Sequence, residues 1–129
     1  MITVFILSLV IILIIDMVWL SLFFGPIFGQ MVKEIQGIPL SINLYGAIPA
    51  YLCMGLAQTI FVYPYLTSYK NAIIYGALLG LITFGIFDFT NLALFKNYDM
   101  KVAILDILWG TILNMIVAIT LYYYKTNIW

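Results

Sequence analysis

Three aspartates, Asp16, Asp88 and Asp106, lie inside long apolar runs, and no lysine or arginine shares those runs. A carboxyl group there can exchange a proton, bind a cation through oxygen, or serve as a general acid or base. An ionised carboxylate costs several kcal/mol at membrane depth, so each acid is expected to be protonated, shared or bonded to donors. Each travels with polar or aromatic neighbours. Trp19 follows Asp16 at i+3 and Trp109 follows Asp106 at i+3, and residues three apart share a helix face. The indole N–H is a donor only, which suits a carboxylate on a neighbouring helix. Thr90 and Asn91 follow Asp88, Thr111 and Asn114 extend the polar surface beyond Asp106, and Gln58 adds one more polar group. The site expected from these positions is Asp16, Trp19, Asp88, Thr90, Asn91, Asp106, Trp109, Thr111 and Asn114.

The elements carrying these residues follow from composition and length. Of 129 residues 66% are hydrophobic and 8% charged, and the mean hydropathy is +1.17, so the chain lacks the charge that covers a water-soluble domain. About 20 apolar residues cross the hydrocarbon core as a helix. Four segments meet that length, roughly Ile2–Phe24, Leu44–Leu66, Asn71–Phe95 and Val102–Tyr124. The alternating polarity of a membrane β-strand is absent, so the spans are helices. The fold class is all-α, an integral multi-pass membrane protein with a single transmembrane domain over residues 1–129. The N-terminal run lacks a basic leader and a small-residue cleavage site, and is expected to be kept as the first helix.

The links differ in kind. Between the first two spans, Ile27, Met31 and Ile35 recur every four residues, with Gln30, Lys33, Glu34 and Gln36 on other faces. That pattern predicts a short helix lying in the membrane interface, ended by Gly37 and Pro39. The links at 67–71 and 96–101 are tight, which makes successive spans antiparallel neighbours in an up-down bundle. Phe23, Phe24, Tyr63, Tyr65, Tyr69, Tyr98, Tyr122–Tyr124 and Trp129 punctuate the span ends as interfacial anchors. Lys70 and Lys125 on one side against Lys33, Lys96 and Lys101 on the other set no orientation. Gly76 and Gly80 form a Gly-x-x-x-Gly pair that permits close helix approach without establishing an oligomer. Pro49 and Pro64 fall near the ends of the second span.

Span direction fixes the relative depth of the acids. At about 1.5 Å per residue, Asp16 lies roughly 12 Å, Asp88 roughly 10 Å and Asp106 roughly 6 Å from the same membrane face. Three acids from three helices therefore belong to one layer. Ile14-Ile-Asp-Met-Val-Trp-Leu20 and Ile104-Leu-Asp-Ile-Leu-Trp-Gly110 repeat a local pattern. An inverted repeat would have sent the second acid to the opposite leaflet, which it does not do.

The net charge of zero leaves no basic patch for nucleic acid. Cys53 stands alone in an apolar run and, with no histidine in the chain, a zinc site lacks ligands; its expected role is packing. Haem would lack an axial histidine and retinal an intramembrane lysine, so no cofactor is expected.

Phe87-Asp-Phe-Thr-Asn91, Asp106-Ile-Leu-Trp-Gly-Thr111 and Asp16-x-x-Trp19 together resemble the small predicted membrane proteins gathered as domain-of-unknown-function family 2177. The resemblance covers essentially the whole chain and implies a four-helix profile, with these residues singled out and no assigned activity. The loop after the third helix lacks the family's usual tryptophan-proline pattern.

Three functions compete. The first is a transporter or channel-like protein whose acids bind a proton or cation, with homo-oligomerisation as a way to build a path that four helices alone enclose poorly. The second is an intramembrane enzyme acting on a lipid, less favoured because aspartate-rich metal-diphosphate clusters and histidine boxes are absent. The third is a structural or accessory subunit in the bilayer, its helices held together by the polar layer.

Overall fold

The computed structural model describes residues 1–128, so the anchoring role expected of Trp129 lies outside the described residues. It contains α1 (Ile2–Trp19), α2 (Gly25–Gln36), α3 (Leu44–Ala57), α4 (Tyr69–Leu94) and α5 (Met100–Asn127). Four helical stretches are long and apolar enough to cross a membrane: Ile2–Gln36, Leu44–Tyr65, Tyr69–Leu94 and Met100–Asn127. The chain is an all-helical, integral, multi-pass membrane protein.

Capping residues decide where three helices begin. Asn43 Oδ1 accepts from the Tyr45 N–H at 2.9 Å at the start of α3. Ser68 Oγ accepts from the Asn71 N–H at 3.1 Å and starts α4 two residues earlier than hydropathy places it. Asp99 Oδ1 accepts from the Lys101 and Val102 N–H groups at 2.6 and 3.3 Å and starts α5. Each oxygen satisfies an N–H that the first helical turn leaves open.

The link after the first span differs from expectation. The amphipathic segment is helical, but it runs on directly from α1 through a wide π-helical turn at Leu20–Phe24. A second π turn, Gln58–Val62, follows α3 and passes into a 3₁₀ turn at Tyr63–Tyr65. Both have one cause. Gly25 and Tyr63 each stand directly before a proline, and their N–H groups bond back to the carbonyls of Leu20 and Gln58. Pro26 and Pro64 have no N–H, and their rings would strike the carbonyl four residues back. Widening the preceding turn moves that carbonyl aside without breaking the helix.

The apolar side of α2 is also placed differently. Met31 is buried with Phe24, Tyr98, Val102 and Ala103, and Phe28 and Ile35 pack against that cluster, while Ile27 is exposed. The Asp99 N–H points at Met31 Sδ at 3.2 Å. Part of the face, Met31 with Phe28 and Ile35, therefore covers the α4–α5 link. Phe24 and Tyr98, expected as interfacial anchors, are part of this buried cluster.

Contacts along the chain give an up-down arrangement. Residues near 76, 80 and 88 of α4 meet residues near 115, 110 and 106 of α5, an antiparallel register. Asp16 meets Tyr51 of α3 and Gly55 lies against Phe5 and Leu9 of α1, again antiparallel. The α4–α5 contact is the most extensive in the bundle because both helices come to near-backbone distance. A Cβ built on Gly76 would stand 2.7 Å from the Asn114 carbonyl oxygen and 2.8 Å from Met115 Cα, and one on Gly80 would stand 2.7 Å from Thr111 Cα. The Gly-x-x-x-Gly surface is thus used within the chain. Cys53, expected in packing, is exposed on α3. Ile12, Leu66, Ala72, Leu113, Val117 and Leu121 form the apolar core.

Candidate functional site

The three acids are buried, Asp88 fully, with Asp16 and Asp106 under one-tenth exposed. Asp16 projects from α1 between two other helices. Its Oδ1 accepts from Trp109 Nε1 of α5 at 2.8 Å and its Oδ2 from the Tyr51 hydroxyl of α3 at 2.5 Å. One carboxyl group therefore ties three helices. The pairing of an indole with a carboxylate across helices follows the sequence expectation for Trp109. Trp19 behaves otherwise: its ring stacks on Trp109 at 4.5 Å and 10°, and its buried Nε1 has no hydrogen-bond partner.

Asp88 and Asp106 form a second group. Asp88 Oδ1 accepts from the Tyr98 hydroxyl at 2.8 Å. Its Oδ2 is buried and receives no donor, and the Asp106 carboxyl of α5 is its neighbour across the helix contact. Asn91 follows Asp88 at i+3 on the same side of α4 and is half-buried. Among the described residues, no three His, Cys, Asp or Glu side chains come together in a metal-binding group.

Three of the expected positions make no hydrogen bond to the acids. Thr111 is half-buried and its hydroxyl bonds back to the Ile107 carbonyl at 2.8 Å. Asn114 lies eight residues beyond Asp106, about 12 Å further along α5. Its Oδ1 accepts from Gln58 Nε2 at 2.9 Å, and its own Nδ2 donates to the Gly110 carbonyl at 2.8 Å. Gln58 Oε1 is buried without a partner. Thr90 is exposed on α4 and stays outside the cluster: it lies two residues from Asp88, on a different face of the helix.

Sequence reasoning missed the two tyrosine donors. Tyr98 follows Asn97, whose φ of 69° is left-handed, a conformation that asparagine tolerates better than most residues. The turn sends Tyr98 inward, where loop position alone had suggested the interface. Tyr51 lies seven residues before Gln58, two helical turns along the same face, and that spacing was the available signal.

Burial, reinforced by its bond to Asp88, holds the Tyr98 hydroxyl protonated above the ordinary tyrosine value of 10.0. A proton held more tightly in the folded chain contributes stability that is fully present below the unfolded value and is lost as pH rises through the folded one. Tyr98→Phe is expected to cost about 1–2 kcal/mol near neutral pH, the usual worth of a hydrogen bond to a carboxyl group. The gap between wild type and variant should stay level up to about pH 10 and shrink above it. Denaturant unfolding in detergent across that range would measure it; a gap that widens with pH contradicts the assignment.

Fold and site together define a class: a four-span membrane protein with three buried aspartates, of which Asp16 and Asp88 accept hydrogen bonds from aromatic side chains. The chain belongs to the family described as predicted membrane protein DUF2177, whose model matches residues 1–123. No curated protein matches the chain, and no solved structure does.

Proposed function

We propose that this is a small proton-binding membrane protein, transporter- or channel-like, in which the Asp88–Asp106 pair takes up and releases the proton. The observation supporting this reading is the burial of two neighbouring carboxyl groups on adjacent helices, one of which has an oxygen that no donor reaches. Carboxylates are acceptors only, so a hydrogen bond between two of them requires one proton. Two acids that share a site cannot both ionise freely, and such a pair exchanges a proton as a unit. The donor set suits a proton better than a metal ion, since no third ligand of the usual kinds joins the pair. The Gln58–Asn114 node supplies the next polar step into the bundle.

The test is flux. Proteoliposomes containing the wild-type chain should dissipate an imposed proton gradient, and Asp88→Asn or Asp106→Asn should slow this by about tenfold or more, the scale associated with a well-placed proton-transfer group. An infrared band from a protonated carboxyl should disappear in Asp106→Asn. Absence of proton flux in the wild type, together with absence of that band, would overturn the reading. For Asp16 a structural role is favoured by a separate observation, its two bonds to different helices.

A further inference from the structure

We propose that α1, α2 and α3 together form a binding site for one phospholipid whose headgroup carries both a phosphate and an ammonium. A groove of about 450 Å³ runs between α1 and α3, and Tyr51 is the one polar side chain on its wall. Its α1 wall extends from Leu9 to Leu20, roughly 17 Å along the helix axis. The groove is long and apolar, and lies parallel to the spans, which suits an extended acyl chain better than a compact ligand.

Past its Leu20 and Ile42 end lies a second hollow of about 810 Å³, walled by α2 and the segment leading to α3. The same two stretches of chain line both: Leu20 of the groove is followed by Gly25 of the hollow, and Leu40 of the hollow by Ile42 of the groove. The hollow changes character, with Gln30, Lys33 and Glu34 lining it. The space beside Gly29 is open, since a Cβ there would meet nothing within 4 Å. α2 thus has two occupied sides, an apolar one against Tyr98 and Val102 and a charged one facing this hollow. Lys33 complements a phosphate, and Glu34 beside it complements an ammonium. A cationic position alone would favour an anionic lipid; the adjacent acid shifts the match to a zwitterionic one. The apolar and charged sections are stacked in the order of a phospholipid's chain and headgroup.

The experiment uses the whole protein reconstituted with phosphatidylethanolamine bearing a photoactivatable acyl chain, with the matching phosphatidylglycerol as comparison. Crosslinks from the ethanolamine lipid should concentrate on Leu13, Met17 and Ile48. Native mass spectrometry should show it retained about tenfold over the glycerol lipid, a difference on the scale of one discriminating contact. Gly29→Leu, which fills the headgroup hollow, and Ala47→Phe, which fills the groove, should each abolish that preference. The crosslink map needs no substitution and so stands even if a variant misfolds. Crosslinks spread evenly over the outer faces of α1, α4 and α5, or equal retention of the two lipids by the wild type, would overturn the proposal.

Discussion

Gly80→Ala is expected to lower stability by about 3 kcal/mol, at the upper end of overpacking penalties. The added methyl would run into the Gly110 carbonyl, with Thr111 Cα also inside contact distance. These are backbone atoms on a neighbouring helix, so no side-chain rotation relieves the clash and α5 itself must move away. That movement would also pull Asp106 from Asp88, since both pairs belong to the same helix contact. Gly46 provides the control, because a Cβ there meets nothing within 4 Å. Gly46→Ala should be neutral or slightly stabilising. Unfolding in mixed detergent micelles, followed by far-ultraviolet circular dichroism, measures both. Equal behaviour of the two variants would show that the α4–α5 approach is looser than described.

Asp16→Ala should cost a similar amount, on the order of 3 kcal/mol, because it strands two donors at once. The Trp109 indole and the Tyr51 hydroxyl both lose their acceptor within membrane-spanning helices, where the hydrocarbon core supplies no substitute. Asp16→Asn should recover about half of the loss, since one amide oxygen can still accept while the amide nitrogen faces a donor. Trp109 emission should shift in both variants as its N–H loses or changes its partner. A neutral Asp16→Ala in the same unfolding assay would remove the case for Asp16 as the tie among α1, α3 and α5.

Hydropathy made the four spans legible, and the tight links made their order around the bundle legible too. Span direction and rise per residue led to an expected common layer for Asp16, Asp88 and Asp106, and the Asp16 carboxyl meets Trp109, one turn from Asp106. What escaped was decided by local backbone geometry. Tyr98 looked like an interfacial residue because its inward turn depends on the left-handed Asn97, which hydropathy does not register. Thr90 looked like part of the cluster because closeness in sequence was weighed above helix phase. Tyr51 was passed over because tyrosine in a span reads as an apolar residue until an acceptor is found opposite it. The course of the first helix past Gly25-Pro26 was hidden for another reason: glycine and proline signal an ending, and here a widened turn absorbs them.

That widened turn also resets the helix's angular phase. An α-helix advances about 100° per residue, and a π turn amounts to one residue inserted without advance along the face. In an uninterrupted helix Phe28, Met31 and Ile35 would point roughly 90° away from the direction of Asp16. One inserted residue brings them back to that direction, so the apolar side of α2 falls above the acid it follows and against α5. A proline therefore orients a roof over the acidic layer some ten residues after Asp16, and the same rotation turns Lys33 and Glu34 outward.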